Sequence, residues 1–165
     1  MAIQPVQQFR YTMGKNSTDS SLIIDAMDLL HTGNLDGFCL VSSDSDFTRL
    51  ATRIRESGLA VYGFGEEKTP DAFVAACDKF IYTEILKPTP SPSSKELRKT
   101  EPLKPMLMAS IGATARDDGW AALSAVGSML VKNSPSFDPR NYNFQKLGEL
   151  VRKQKYLEVK EVPRG

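Results

Sequence analysis

Between Lys87 and Pro105 the chain carries five prolines in a stretch that otherwise alternates small polar residues with charges. Prolines at that density remove backbone donors and fix φ, which prevents helix or ladder formation and favours an extended spacer. The 165 residues are thereby divided into a module at 1–86 and a second at 106–163, with 87–105 as the linker. Charge follows the same division. Residues 1–86 hold 7 Lys and Arg against 12 Asp and Glu, net −5, and residues 87–165 hold 14 against 8, net +6. The overall charge of +1 hides this asymmetry, which points to modules with different partners, the basic one suited to a polyanion.

Several classes of function drop out early. No apolar run approaches the roughly 18 residues needed to cross a bilayer, and the first residues lack the basic flank and apolar core of a secretory signal. A cytoplasmic location without membrane attachment is therefore expected. Two cysteines, Cys39 and Cys77, cannot build a disulfide framework or a four-ligand zinc site, and both sit in apolar company that assigns them to the core. With His31 as the single histidine, chemistry must rest on carboxylates.

In the first module Gln8 to Met13 alternates apolar with polar residues and reads as a strand. After a cap at Ser17 or Thr18, Leu22, Ile23, Ala26, Met27, Leu29 and Leu30 recur at helical spacing. Phe38 to Val41 is a buried strand, Phe47 to Ile54 a helix that Gly58 ends, and Leu59 to Phe64 a third strand. A short helix from Pro70 to Cys77 and a strand from Phe80 to Tyr82 complete it. Strands alternating with helices predict an α/β fold on a parallel sheet.

Asp44 and Asp46 follow the strand that ends at Val41, one residue apart, just before a helix. In open α/β sheets ligands bind in the crevice at the carboxyl ends of the strands. Two carboxylates placed there can share a hard cation, because Mg²⁺ or Mn²⁺ takes oxygen ligands. The competing reading is local: Asp46 caps the helix, and Ser43 and Asp44 form a turn. Asp19, in the first turn of the preceding helix, reaches the same crevice if the two strands are neighbours, and otherwise serves the helix dipole.

Lys15 to Asp19, the segment Ser42 to Phe47, and Val61 to Gly65 followed by Phe73 to Asp78 resemble the NYN domain of the LabA-like group, a branch of the PIN-like nucleases. The resemblance covers residues 5–84. It implies a PIN-like, Rossmann-like parallel sheet with a ribonuclease site in which acidic residues bind Mg²⁺ or Mn²⁺. Carried over by position, Asp19, Asp44 and Asp46 are the catalytic and metal-binding carboxylates, Asn16 and Ser43 give polar support, and Lys15 and Arg49 contact phosphate. The family domain normally begins with an apolar strand ending in aspartate and a helix, and both are expected to be missing here. The remaining strands would then flank a gap for a protein partner or a second copy of the chain.

The second module reads as helices over Met106–Ala115, Trp120–Lys132 and Phe144–Gln154, then a strictly alternating strand from Tyr156 to Val162. That order fits a small winged helix-turn-helix with the strand in its wing. Trp120, Leu123, Val126 and Leu130 are expected in the core, with Leu147, Leu150 and Val151 beneath them. Gly119 to Gly127, Ser136 to Tyr142 and Phe144 to Val151 are similar to the OST-HTH, or LOTUS, domain, a family associated with RNA binding and protein contacts. Lys146, Arg152, Lys153 and Lys155 are the candidate cations for single-stranded or structured RNA.

These readings combine into a metal-dependent ribonuclease of RNA processing or decay. Its rivals are a catalytically inactive RNA- or protein-binding adaptor and a Mg²⁺-dependent phosphotransfer enzyme using Asp44 or Asp46 as nucleophile.

Overall fold

A computed structural model of the protein describes residues 5–7, 17–86 and 102–161. The expected strand at Gln8 to Met13, with Lys15 and Asn16, lies outside the described residues, as does most of the proline-rich stretch.

The first module runs α1 (Ser17–Thr32), β1 (Gly37–Val41), a 3₁₀ turn (Ser45–Phe47), α2 (Thr48–Glu56), β2 (Ala60–Gly65), α3 (Asp71–Ala76) and β3 (Lys79–Tyr82). The strands form one parallel sheet in the order β1-β2-β3, with Phe38 opposite Val61 and Gly63 opposite Phe80. Alternation along each strand sends Leu40, Val61 and Phe80 to one face. There they meet Leu50, Ala51 and Ile54 of α2, Phe73 and Val74 of α3, and Cys77. Burial of these side chains is the main favourable contribution to the module. Helix α1 joins through Ala26, Ile23, Met27 and Leu30. Its Leu22 and Leu29, expected on the apolar face, stand exposed.

Among the described residues the opposite face of the sheet is uncovered. Val41 is 74% exposed, and Tyr62 and Cys39 are exposed beside it. This corrects the assignment of both cysteines to the core: Cys77 is buried, whereas Cys39 alternates onto the uncovered face. Burial pushes the Cys77 thiol up to about 11.

The second module consists of α4 (Leu103–Thr114), α5 (Leu123–Asn133), a 3₁₀ turn (Pro139–Tyr142) and α6 (Leu147–Arg152) around Leu107, Val126, Leu130, Phe137, Leu150 and Val151. Helix α4 starts before Met106 because Pro105 falls in its first turn, where no intrahelical donor is required. Helix α5 begins only at Leu123. Residues 116–120 close a tight loop in which Gly119 N–H donates to Arg116 O (2.8 Å) and Arg116 N–H to Trp120 O (2.9 Å), with Gly119 at φ 80°. Trp120 and Leu123 are therefore exposed surface residues, which overturns their placement in the core.

No strand forms between Tyr156 and Glu161, the described part of the expected wing. Alternation specifies a face, but a strand also needs a partner ladder, and in this segment Tyr156 meets Lys104 of α4 while Lys160 meets Trp120 of the 116–120 loop. Among the described residues no helix is long and apolar enough to cross a membrane.

Among the described residues the modules meet at the edge of β3. Phe80 N–H on β3 donates to Pro135 O (2.9 Å), which satisfies an edge donor that would otherwise face solvent.

Candidate metal centre

The site is built where β1 ends. Ser42 N–H still pairs with Phe64 O (2.9 Å), so the chain leaves the sheet only at Ser43. Ser42 Oγ accepts from Asp44 N–H (3.1 Å), and Asp44 Oδ1 accepts from Asp46 N–H (2.9 Å). Asp44, in extended backbone, thus caps the 3₁₀ turn that leads into α2. The local reading put that cap on Asp46. The residue two positions earlier takes it because the 3₁₀ turn intervenes before α2, and one carboxylate oxygen of Asp44 is fixed as a result.

Ser43 Oγ accepts from Glu66 N–H (2.9 Å), joining the exit of β1 to the exit of β2. Their approach requires Gly65: a Cβ there would lie 2.5 Å from Ser42 O and 2.7 Å from Thr69 Oγ1. Buried Thr69 donates its hydroxyl to Glu66 O (2.6 Å), which curls residues 66–69 into a turn and holds Lys68 outward.

Asp19 comes from the first turn of α1, which packs against the 3₁₀ turn at Ser45–Phe47. One carboxylate oxygen from each of Asp19, Asp44 and Asp46 lies within 4.8 Å of the others. Asp19 is half-buried and the other two are exposed. Three carboxylates at such separations repel one another, and an all-oxygen donor set of this charge fits a hard divalent cation.

Arg49 is exposed in the first turn of α2. Sequence reasoning missed Lys68, which lines an open depression with Ser42, Ser43, Asp44 and Ser45. Its Nζ lies 2.6 Å from Glu66 Oε2, and that carboxylate raises its pKa. Its presence beside the carboxylates depends on the turn at 66–69, for which only Gly65 and Pro70 left a local signal. Asp78 sits at the other end of the sheet, accepting from Val61 N–H (2.8 Å) and paired with Arg55 (2.9 Å), so it serves the fold.

In the second module Lys146 stands at the amino end of α6, while Arg152, Lys153 and Lys155 follow one another at its carboxyl end. Six residues of helix span about 9 Å, so Lys146 does not join the other three. Arg152 is engaged by Glu161 (2.5 Å), and Lys153 and Lys155 are exposed.

Residues 1–86 match the NYN domain, and residues 97–165 match the OST-HTH/LOTUS domain. No match was found among curated proteins or among solved structures. NYN domains are nuclease-type and OST-HTH/LOTUS domains are RNA-binding, so the two together make an RNA-related, nuclease-like protein. By these matches the chain belongs to the NYN domain family, its NYN domain followed by an OST-HTH/LOTUS domain.

Proposed function

We propose that the protein is a Mg²⁺- or Mn²⁺-dependent ribonuclease of RNA processing or decay, in which Asp19, Asp44 and Asp46 hold the metal and the second module holds RNA. The observation that carries this reading is the gathering of three carboxylates from two elements within 4.8 Å at the carboxyl end of β1. When bound, a divalent ion there supplies the positive charge that a phosphodiester needs before water can attack it.

The chain's own residues do the positioning. Asp46 N–H orients the Asp44 carboxylate, and the Ser43 hydroxyl keeps the two strand exits together. Arg49 and Lys68 offset phosphate charge beside the acidic group. Lys15 and Asn16 belong to the same proposal, as phosphate contact and polar support. Lys146, Arg152, Lys153 and Lys155 contribute phosphate contacts from α6, and the reading includes a cytoplasmic location. A second reading, a catalytically inactive adaptor, draws support from the capping role that already occupies Asp44 Oδ1.

Calorimetric titration of Mn²⁺ into the full chain and into Asp44→Asn, with cleavage of a labelled single-stranded RNA on the same samples, decides between them. The nuclease reading expects saturable binding and cleavage in the wild type. In the variant, cleavage falls at least about 100-fold, since even outer-shell partners of a metal contribute roughly 10–100-fold, while RNA affinity is kept. Unchanged cleavage in Asp44→Asn rejects the site. A folded wild type that binds no Mn²⁺ supports the adaptor.

A further inference from the structure

Two aromatic side chains of the second module stand at the surface, each with an ammonium over its ring. Lys160 Nζ lies 5.8 Å from the Trp120 centroid, and Lys104 Nζ lies 5.1 Å from the Tyr156 centroid. Trp120 is 37% exposed and Tyr156 36%.

The two pairs are parts of one construction. Tyr156 and Lys160 belong to the same segment, which is pinned by Leu157 packing on the core. Tyr156 meets α4 at Lys104, and four residues later Lys160 meets the 116–120 loop at Trp120. A span of four residues reaches at most about 13–14 Å, the length of a few nucleotides. Trp120 itself is held at both backbone groups: its N–H donates to Asp118 Oδ1 (3.0 Å), and its carbonyl accepts from Arg116 N–H. The ring is thus presented on a closed loop. Leu123 and Val159 are exposed as well. Asp117, Asp118, Glu158 and Glu161 also lie on these two segments, against Arg116 and Lys160, and the further cations are Lys104 of α4 and Lys153 and Lys155 just after α6.

We infer that this surface is a stacking platform for unpaired RNA bases, with Trp120 and Tyr156 as the base-bearing rings and Lys160 and Lys104 as phosphate contacts. The inference rests on the RNA-binding half of the function proposed above and identifies where that binding occurs. Unpaired bases offer π-faces, and aromatic rings accept them with little sequence preference. An exposed ammonium over a ring is a weaker contact than a stacked base. A base therefore displaces the lysine head, and its long stem lets the freed ammonium reach a flanking phosphate. In a duplex the faces are stacked already, so the platform selects single strands.

Trp120 is the single tryptophan of the chain, and its emission reports the platform directly. Full-length protein titrated with an unlabelled single-stranded RNA of about 12 nucleotides, within the usual site sizes, is followed by tryptophan emission, and in parallel by anisotropy of the labelled strand. The expected result is saturable quenching over the same concentration range as the anisotropy change. Trp120→Ala and Tyr156→Ala each weaken binding about 10-fold, while Trp120→Phe and Tyr156→Phe stay within about 3-fold. Thermal melts of the Ala variants separate loss of stacking from loss of folding. Lys160→Met lowers the slope of log affinity against log salt by about 0.7, one phosphate contact on a single strand. Anisotropy binding without quenching, unchanged affinity in the Ala variants, or equal affinity for a duplex of the same sequence overturns the platform alone. Absence of RNA binding overturns both the platform and the RNA-binding half of the proposed function, and the Asp44→Asn experiment reads the acidic site separately.

Discussion

Asp138 is almost fully buried, and Arg140 answers it with two parallel side-chain hydrogen bonds, Nε to Oδ1 (2.9 Å) and Nη2 to Oδ2 (2.8 Å), plus its own backbone N–H. Burial alone would raise the carboxyl. The hydrogen bonds and charge of Arg140, helped by Lys79 from the first module, outweigh it and hold the group below the ordinary carboxylate range. A carboxyl whose folded pKa is depressed contributes stability that is present above its unfolded value of about 3.9. That stability is lost as pH falls through the lower folded value. Asp138→Asn is expected to destabilise the second module by roughly 1–3 kcal/mol at neutral pH, as for a buried group losing its partner. The gap to the wild type should be narrower in acid, below the depressed folded value where the wild-type carboxyl also gives up its charge, than at neutral pH. Urea unfolding followed by tryptophan emission at both pH values checks this, and an equal gap at both would remove the ion pair as its cause. The type of residue at the candidate site was legible for a similarly local reason. Asp44 and Asp46 follow an apolar run at once, but which of them caps the turn depended on a 3₁₀ segment that leaves no periodic signature.

Among the elements, β2 shows most clearly how packing depends on a small residue. A Cβ on Gly63 would lie 2.4 Å from Phe80 Cδ2 and 2.7 Å from Cys77 Sγ. The Phe80 ring cannot retreat, because it stacks edge-on against Phe73 (centroids 5.8 Å apart) and Tyr82 (5.4 Å). Gly63→Ala should therefore cost about 1–3 kcal/mol by overpacking, read as a lower urea midpoint in far-UV circular dichroism. An unchanged midpoint would mean that the sheet and α3 give way at no cost. The strands and helices of the first module were readable because their periods, near 2 and 3.6, are properties of neighbouring residues. The wing strand was misread on the same evidence. Tyr156 and Lys160 would share one face of a strand, yet their side chains meet Lys104 and Trp120, and no ladder forms in the described residues. Helix α5 starts late because the 116–120 loop closes on itself, a contact that hydrophobic periodicity does not encode.

On the scale of the whole molecule, the two hydrophobic clusters share no residue, and the hydrogen bond from Phe80 N–H to Pro135 O joins modules with separate cores. Leu130→Ala empties a fully buried position of the second core and should cost that module about 2–5 kcal/mol. Tryptophan emission, which belongs to the second module, is expected to shift its urea midpoint. The sheet of the first module should keep its own transition in circular dichroism, and a common shift of both would show that the edge contact couples the cores. The α/β alternation and the carboxylates after β1 were determined by sequence alone, since each rests on spacing within a dozen residues. Only the tertiary structure decided that Asp19 meets Asp44 and Asp46, that Lys68 borders them, that Trp120 faces outward, and that Pro135 caps the edge of β3. Each of these depends on packing between segments distant in the chain, which local periodicity does not record.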